Sequence, residues 1–125
     1  MAQTDKQKKV LIVEDERPLV RALELKLKTA GFLTKGVFDG AQALEELKQE
    51  KYDLILLDLV MPNTDGFAVL EELQSRKNHT PIIVTSNLGQ EEDFNRAKKL
   101  GAKDYFIKSN TSLAELVKQI ETHLK

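Results

Sequence analysis

The chain has 125 residues, 19 basic against 20 acidic side chains and a formal charge of −1, a length that suits one domain. Its 41% apolar content supplies a core, while the charge balance excludes the basic excess that bulk nucleic-acid binding requires. With no cysteine present, disulfide frameworks, thiolate zinc sites and thiol nucleophiles drop out together. No apolar run approaches the roughly 20 residues of a membrane span. The segment 1–8 reads as a polar tail without the apolar stretch of a signal peptide, so a cytoplasmic protein with no membrane or direct nucleic-acid partner is expected, its domain running over 9–125.

In chain order, Val10–Val13 is a short apolar run ended by Glu14 and Asp15. Pro18 then opens a helix in which Leu19, Leu23, Leu27 and Ala30 recur until Gly31 stops it. A more polar stretch, Phe32–Phe38, reads as an edge strand with Gly36 inside it. Asp39 can cap a helix carrying Ala43, Leu44 and Leu47. Leu54–Leu57 follows, apolar on both faces, and Asp65-Gly66 leads into Phe67, Leu70 and Leu73. Pro81–Val84 is the fourth strand, its proline tolerable because it opens the run. Phe94, Ala97 and Leu100 precede Gly101, a second glycine stop. Tyr105–Ile107 is the fifth strand. Ser112 with Glu115 forms a capping box before Leu113, Leu116, Val117, Ile120 and Leu124.

Strand and helix thus alternate five times. Short β-branched runs without alternation are the mark of parallel strands buried on both faces, and right-handed crossovers place helices on either side of the sheet. The expected fold is a doubly wound α/β sandwich with five helices. For five strands a common order is 2-1-3-4-5, which periodicity alone does not establish.

Ligands of such sheets bind outside the carboxyl ends of the strands. The residues at those ends are Glu14 and Asp15, then Asp58, then Thr85 and Ser86, then Lys108. With the order 2-1-3-4-5, the first and third strands are neighbours about 4.8 Å apart, so the carboxylates of Glu14, Asp15 and Asp58 converge. Lys108 can reach back to them on its flexible stem. Taken singly, each residue has a plainer explanation: an Asp after a strand usually caps a helix or turns the chain, and a lone Lys is usually a solvated charge. Their placement at one sheet edge is the signal. Converging carboxylates repel unless a cation bridges them, and an oxygen-only ligand set selects Mg²⁺ or, as a second choice, Mn²⁺. A hard cation beside a carboxylate, a hydroxyl and an ammonium is a phosphoryl site containing its own nucleophile, Asp58.

These residues lie in the motifs LIVEDE (11–16), LLDLVMPNTDG (56–66), VTSN (84–87) and YFIKS (105–109). In combination the chain resembles the receiver domain of two-component response regulators, from about Lys9 to Leu124, and the resemblance implies the flavodoxin-like receiver fold. It implies that Asp58 is the phosphoacceptor and that Asp15, Asp58 and the Val60 carbonyl bind Mg²⁺, with Glu14 acting largely through a water. Thr85 and Lys108 would contact the phosphoryl group, and Tyr105 would be the aromatic switch that follows Thr85. Val60 and Asn87 would flank the path of the hydrolytic water and tune the phosphoryl lifetime. Partners implied are a sensor histidine kinase or histidine phosphotransfer protein and a downstream protein target. The chain would be a regulatory phosphoacceptor rather than an enzyme acting on other molecules.

The family's acidic pair is more often two aspartates than Glu14-Asp15. A proline also commonly follows the lysine, usually through a cis bond, where this chain has Ser109; a cis bond before a non-proline costs about 2.5–4 kcal/mol. Three other readings compete. A phosphatase of the haloacid-dehalogenase type needs a second acid where Val60 stands. A flavin or dinucleotide binder needs a phosphate-cradling loop where Glu14-Asp15-Glu16 would repel phosphate. A degenerate receiver used only for docking would have no need of all five site residues. His79 and His123 have no partner at metal-ligand spacing and read as surface residues.

Overall fold

The computed structural model describes residues 7–61 and 65–124. Most of the N-terminal tail (1–6) and the central Pro62, Asn63 and Thr64 of the third-strand motif lie outside the described residues. In chain order the elements are β1 (Lys9–Val13), α1 (Arg17–Thr29), β2 (Leu33–Val37), α2 (Gly40–Gln49), β3 (Leu54–Asp58), α3 (Gly66–Ser75), β4 (Ile82–Ser86), α4 (Glu91–Lys99), β5 (Asp104–Ile107) and α5 (Leu113–His123), with a 3₁₀ turn at Lys108–Asn110. All strand pairs are parallel. The five strands lie in the order β2-β1-β3-β4-β5, the common order for five such strands, which the element pattern alone left open.

The helices begin where short polar side chains take the first free amides. Asp39 Oδ1 accepts from Gln42 N–H at 2.8 Å, Asp65 Oδ1 from Ala68 N–H at 2.9 Å and Ser112 Oγ from Glu115 N–H at 3.1 Å. Each leaves one fewer orphan donor at its helix start. Gly31 and Gly101 end α1 and α4 with φ of 100° and 105°, a backbone setting that only glycine enters without strain.

The edge strand is shorter than its sequence suggests. Phe32 N–H goes to the Leu27 carbonyl at 3.0 Å, and Phe38 N–H goes to the Gln42 side chain at 2.8 Å. Both amides are spent on the neighbouring helices, so β2 loses one residue from each end. His123, expected at the surface, is half-buried with Nε2 3.1 Å from Asp104 Oδ2. The C-terminus of α5 folds back onto the start of β5, a meeting that local sequence does not signal.

The strand period of two splits the core into two layers. Leu11, Val13, Ile55, Leu57, Ile82, Val84 and Tyr105 pack beneath α2, α3 and α4. Val10, Ile12, Leu54, Leu56 and Ile83 pack beneath α1 and α5, with Phe106 against them. Burial on both faces accounts for strands that read as continuous apolar runs.

Candidate functional site

The same alternation builds the site. Val13, Leu57, Val84 and Ile107 face α2–α4 near the carboxyl ends of their strands, so the next residue of each, Glu14, Asp58, Thr85 and Lys108, turns to the side of α1 and α5. Register then aligns them. Val13 pairs with Leu57, which sets Glu14 level with Asp58, and Asp58 pairs directly with Thr85. Thr85 pairs with Phe106, so Lys108 starts two residues farther out and its stem must fold back over the sheet edge.

It does so. Lys108 Nζ lies 2.6 Å from Glu14 Oε1, 3.3 Å from Asp58 Oδ2 and 3.3 Å from Glu16 Oε2. Glu14 and Asp58 are each only 3% exposed. Glu14, Asp15 and Asp58 each offer a carboxylate oxygen within 4.8 Å of the others. Oxygen donors of this number and charge suit a hard divalent cation that keeps several waters. Asp58 Oδ1 also accepts the Val60 N–H at 3.2 Å, and Glu14 Oε2 accepts the Glu16 N–H at 3.0 Å, so both buried carboxylates are held by backbone as well as by Lys108.

The electrostatics follow from burial against pairing. Burial pushes the Glu14 carboxyl up to about 7, aided by the charge of Asp58 and opposed by the Lys108 and Glu16 hydrogen bonds. Asp58 is raised too, by burial first and by the charge of Asp15 in smaller part, against the pull of Lys108 and the Val60 amide. For Lys108, burial is the largest single influence and acts downward. The Glu14 hydrogen bond and the charges of Asp58 and Glu14 together outweigh it, and the ammonium ends more firmly protonated than usual.

Asp15, Glu16, Asp58, Val60, Asn87, Leu88 and Lys108 enclose an open cleft of about 350 Å³. Val60 is 57% exposed, and its side chain offers this cleft no polar group. Asn87 Oδ1 is already engaged, accepting the Ser109 N–H at 3.0 Å. The Lys108–Ser109 peptide is trans, so the chain takes the 3₁₀ turn here in place of the cis bend usual with proline. Thr85 is not among the residues lining that cleft. It lines a small apolar cavity of about 60 Å³ with Leu23, Phe106 and Leu116, and Lys108 borders both spaces. Tyr105 sits in register with Val84, in the core layer opposite that of Phe106. Its hydroxyl donates to the Leu88 carbonyl at 2.7 Å, and its ring meets Phe94 at 5.6 Å between centroids. Burial raises the phenol's pKa, Ser86 opposing.

Two residues belong to the site that sequence reasoning left without a role. Glu16 was visible in the acidic run, but its contact to Lys108 spans 92 residues. Gly66 brings the start of α3 against the end of β3: its N–H donates to the Leu59 carbonyl at 2.8 Å. A Cβ there would lie 2.5 Å from Leu59 Cα and 2.7 Å from the Asp58 carbonyl oxygen.

Comparison with known proteins agrees with this architecture. The family model for the response regulator receiver domain matches residues 10–121. A curated relative from Guillardia theta, "Probable transcriptional regulator ycf27", is 38% identical over 100 residues, 80% of this chain and 39% of that protein. This chain therefore spans well under half of that relative's length. Among solved structures, the receiver domain of the Francisella response regulator 1452 matches with a TM-score of 0.89 at 30% identity, covering 94% of this chain and 97% of that one. The Vibrio cholerae chemotaxis protein CheY4 matches with a TM-score of 0.86 at 26% identity, covering 95% and 100%. With the family model spanning nearly the whole chain and the acidic edge and lysine in place, the chain belongs to the response regulator receiver domains of two-component systems.

Proposed function

We propose that the chain is a phosphorylation-activated signalling switch whose acceptor is Asp58. The observation that carries this reading is Lys108 Nζ at 3.3 Å from the buried Asp58 carboxylate, beside a trio of carboxylate oxygens within 4.8 Å. An Asp58 oxygen attacks the phosphorus of a phosphohistidine donor, the P–N bond breaks, and the imidazole leaves with the electron pair and takes up a proton. An acyl phosphate remains. Lys108 supplies positive charge to the transferred oxygens, and the Val60 N–H orients the nucleophile through Oδ1. Asp15, Asp58 and the Val60 carbonyl would hold Mg²⁺ (or Mn²⁺), Glu14 acting through a water, and the ion would neutralise phosphoryl charge. Thr85, at 6% exposure and paired in register with Asp58, would contact the new group, and Tyr105, one residue away in register but on the other face of the sheet, would be the aromatic switch that follows it.

The donor is a sensor histidine kinase or a histidine phosphotransfer protein, and the output is contact with a downstream protein in the cytoplasm. No helix among the described residues is long and apolar enough to cross a membrane. The chemistry regulates the chain itself, which is not an enzyme acting on other substrates. Intact mass after incubation with Mg²⁺ and a small phosphodonor, against a chelated control, tests the reading. One added phosphoryl group, absent in chelator and in Asp58→Asn, is the expected result; none in either condition would reject it.

A further inference from the structure

Lys108 has to deliver its ammonium to a fixed point from a backbone position beyond the sheet edge, and its stem is long and freely rotating. The 3₁₀ turn that carries it holds itself only loosely. Its closing contact, Thr111 N–H to the Lys108 carbonyl, is 3.4 Å long, beyond the usual range for such bonds, and Ser109 and Asn110 are exposed. One bond crosses from the neighbouring strand to this turn: Asn87 Oδ1 accepts the Ser109 N–H at 3.0 Å. Asn87 stands one residue past the end of β4 and lines the same cleft as Asp58 and Lys108. A proline at 109 would have no N–H to give, so this tie needs a non-proline residue there, which Ser109 supplies.

We infer that Asn87 is a positioning residue, latching the turn after β5 so that the Lys108 ammonium stays over the Asp58 carboxylate. The geometry separates this role from metal binding. The residues that would hold Mg²⁺ leave β1 and β3, whereas the latch joins the exits of β4 and β5. Loss of the Asn87 oxygen should therefore weaken capture of a phosphoryl group without weakening capture of the cation. The functional half of this inference rests on the phosphoacceptor reading of Asp58; the latch itself does not.

The test uses the full chain, Asn87→Ala and Asn87→Asp, the last retaining an acceptor oxygen. Amide exchange at Ser109 reads the latch. Titration with Mg²⁺ alone, and with beryllofluoride (a phosphoryl mimic) at saturating Mg²⁺, reads the two binding functions separately. In Asn87→Ala, Ser109 exchange should quicken and beryllofluoride affinity fall, each by roughly three- to tenfold, the worth of one net hydrogen bond. Mg²⁺ affinity should stay unchanged, and Asn87→Asp, which keeps an acceptor oxygen but adds negative charge to the cleft, should recover Ser109 protection. Unchanged Ser109 exchange in Asn87→Ala would remove the latch. Faster exchange with unchanged mimic affinity would remove the positioning role, as would an equal loss of Mg²⁺ and mimic affinity. Wild type that binds no mimic at saturating Mg²⁺ would instead reject the phosphoacceptor reading and the positioning role with it, while Ser109 exchange still decides the latch.

Discussion

Lys108 Nζ lies closer to Glu14 than to Asp58, at 2.6 Å from Oε1 against 3.3 Å from Oδ2. The ammonium is shared among buried acids rather than dedicated to Asp58, so it is a structural counter-charge as well as the phosphoryl contact proposed above. Removing one member of a buried ion pair costs about 3–5 kcal/mol unless the stranded group neutralises. Here the stranded groups are carboxyls, which neutralise by taking up protons. Lys108→Ala in chelator should therefore lose a few kcal/mol near pH 8 and much less near pH 5. Urea denaturation at the two pH values checks this, and a loss of equal size at both would refute it.

Glu14 should contribute strongly to the pH profile of the metal-free protein. Its folded-state pKa is raised from 4.5 to about 7, chiefly by burial, so between those values the native state binds more protons than the unfolded chain. The stability linked to this group is fully present below its unfolded pKa and is lost as pH rises through about 7. A shift of that size corresponds to at most about 3 kcal/mol, spread over a group that titrates together with Asp58. Denaturation of chelated protein across that range should show the decline, and Glu14→Gln should flatten it. An unchanged slope in Glu14→Gln would place the titrating group elsewhere.

Asp58→Asn should end phosphoryl uptake while making the metal-free fold more stable, by about 1 kcal/mol. The sign follows from the raised pKa of Asp58, which means that its ionised form is disfavoured on balance despite Lys108. An amide keeps the oxygen that accepts the Val60 N–H, and Lys108 retains its shorter bond to Glu14. A native state binding more protons at Asp58 loses stability as pH rises through its folded pKa, so the gain in the variant should grow with pH. A variant less stable than wild type in chelator near pH 8 would overturn this account.

Gly66→Ala should destabilise the fold by about 1–3 kcal/mol, the usual cost of forcing a methyl into a packed site. The contacts it would meet are backbone atoms of Asp58 and Leu59 at 2.7 Å and 2.5 Å, which cannot rotate away as a side-chain tip could. The displacement falls on the peptide of Asp58, the proposed acceptor, so the rate of phosphoryl uptake should fall as well. Thermal denaturation with a phosphorylation time course checks both effects; an alanine variant with wild-type stability would mean that α3 shifts freely.

Much of this was legible from local pattern. The apolar runs gave way to acids, a hydroxyl or a lysine at the strand ends, and the caps Asp39, Asp65 and Ser112 stand where the helices begin. Those features depend on neighbours a few residues away, and the spacing of like residues carries them. The convergence of Glu14, Asp15 and Asp58 needed only the added assumption of a strand order, which the sheet then fulfils.

What tertiary structure decided was partnership across long separations. No local spacing relates Lys108 to Glu16, 92 residues away, or Asn87 to Ser109 across 22. The retreat of Phe32 and Phe38 from the edge strand and the pairing of His123 with Asp104 are of the same kind. Each depends on where a side chain ends after strand register and helix packing have set its backbone, and a displacement of an ångström or two would exchange one hydrogen-bond partner for another. Residue type and period determine which chemistry stands at the sheet edge; register and packing determine which of those groups touch.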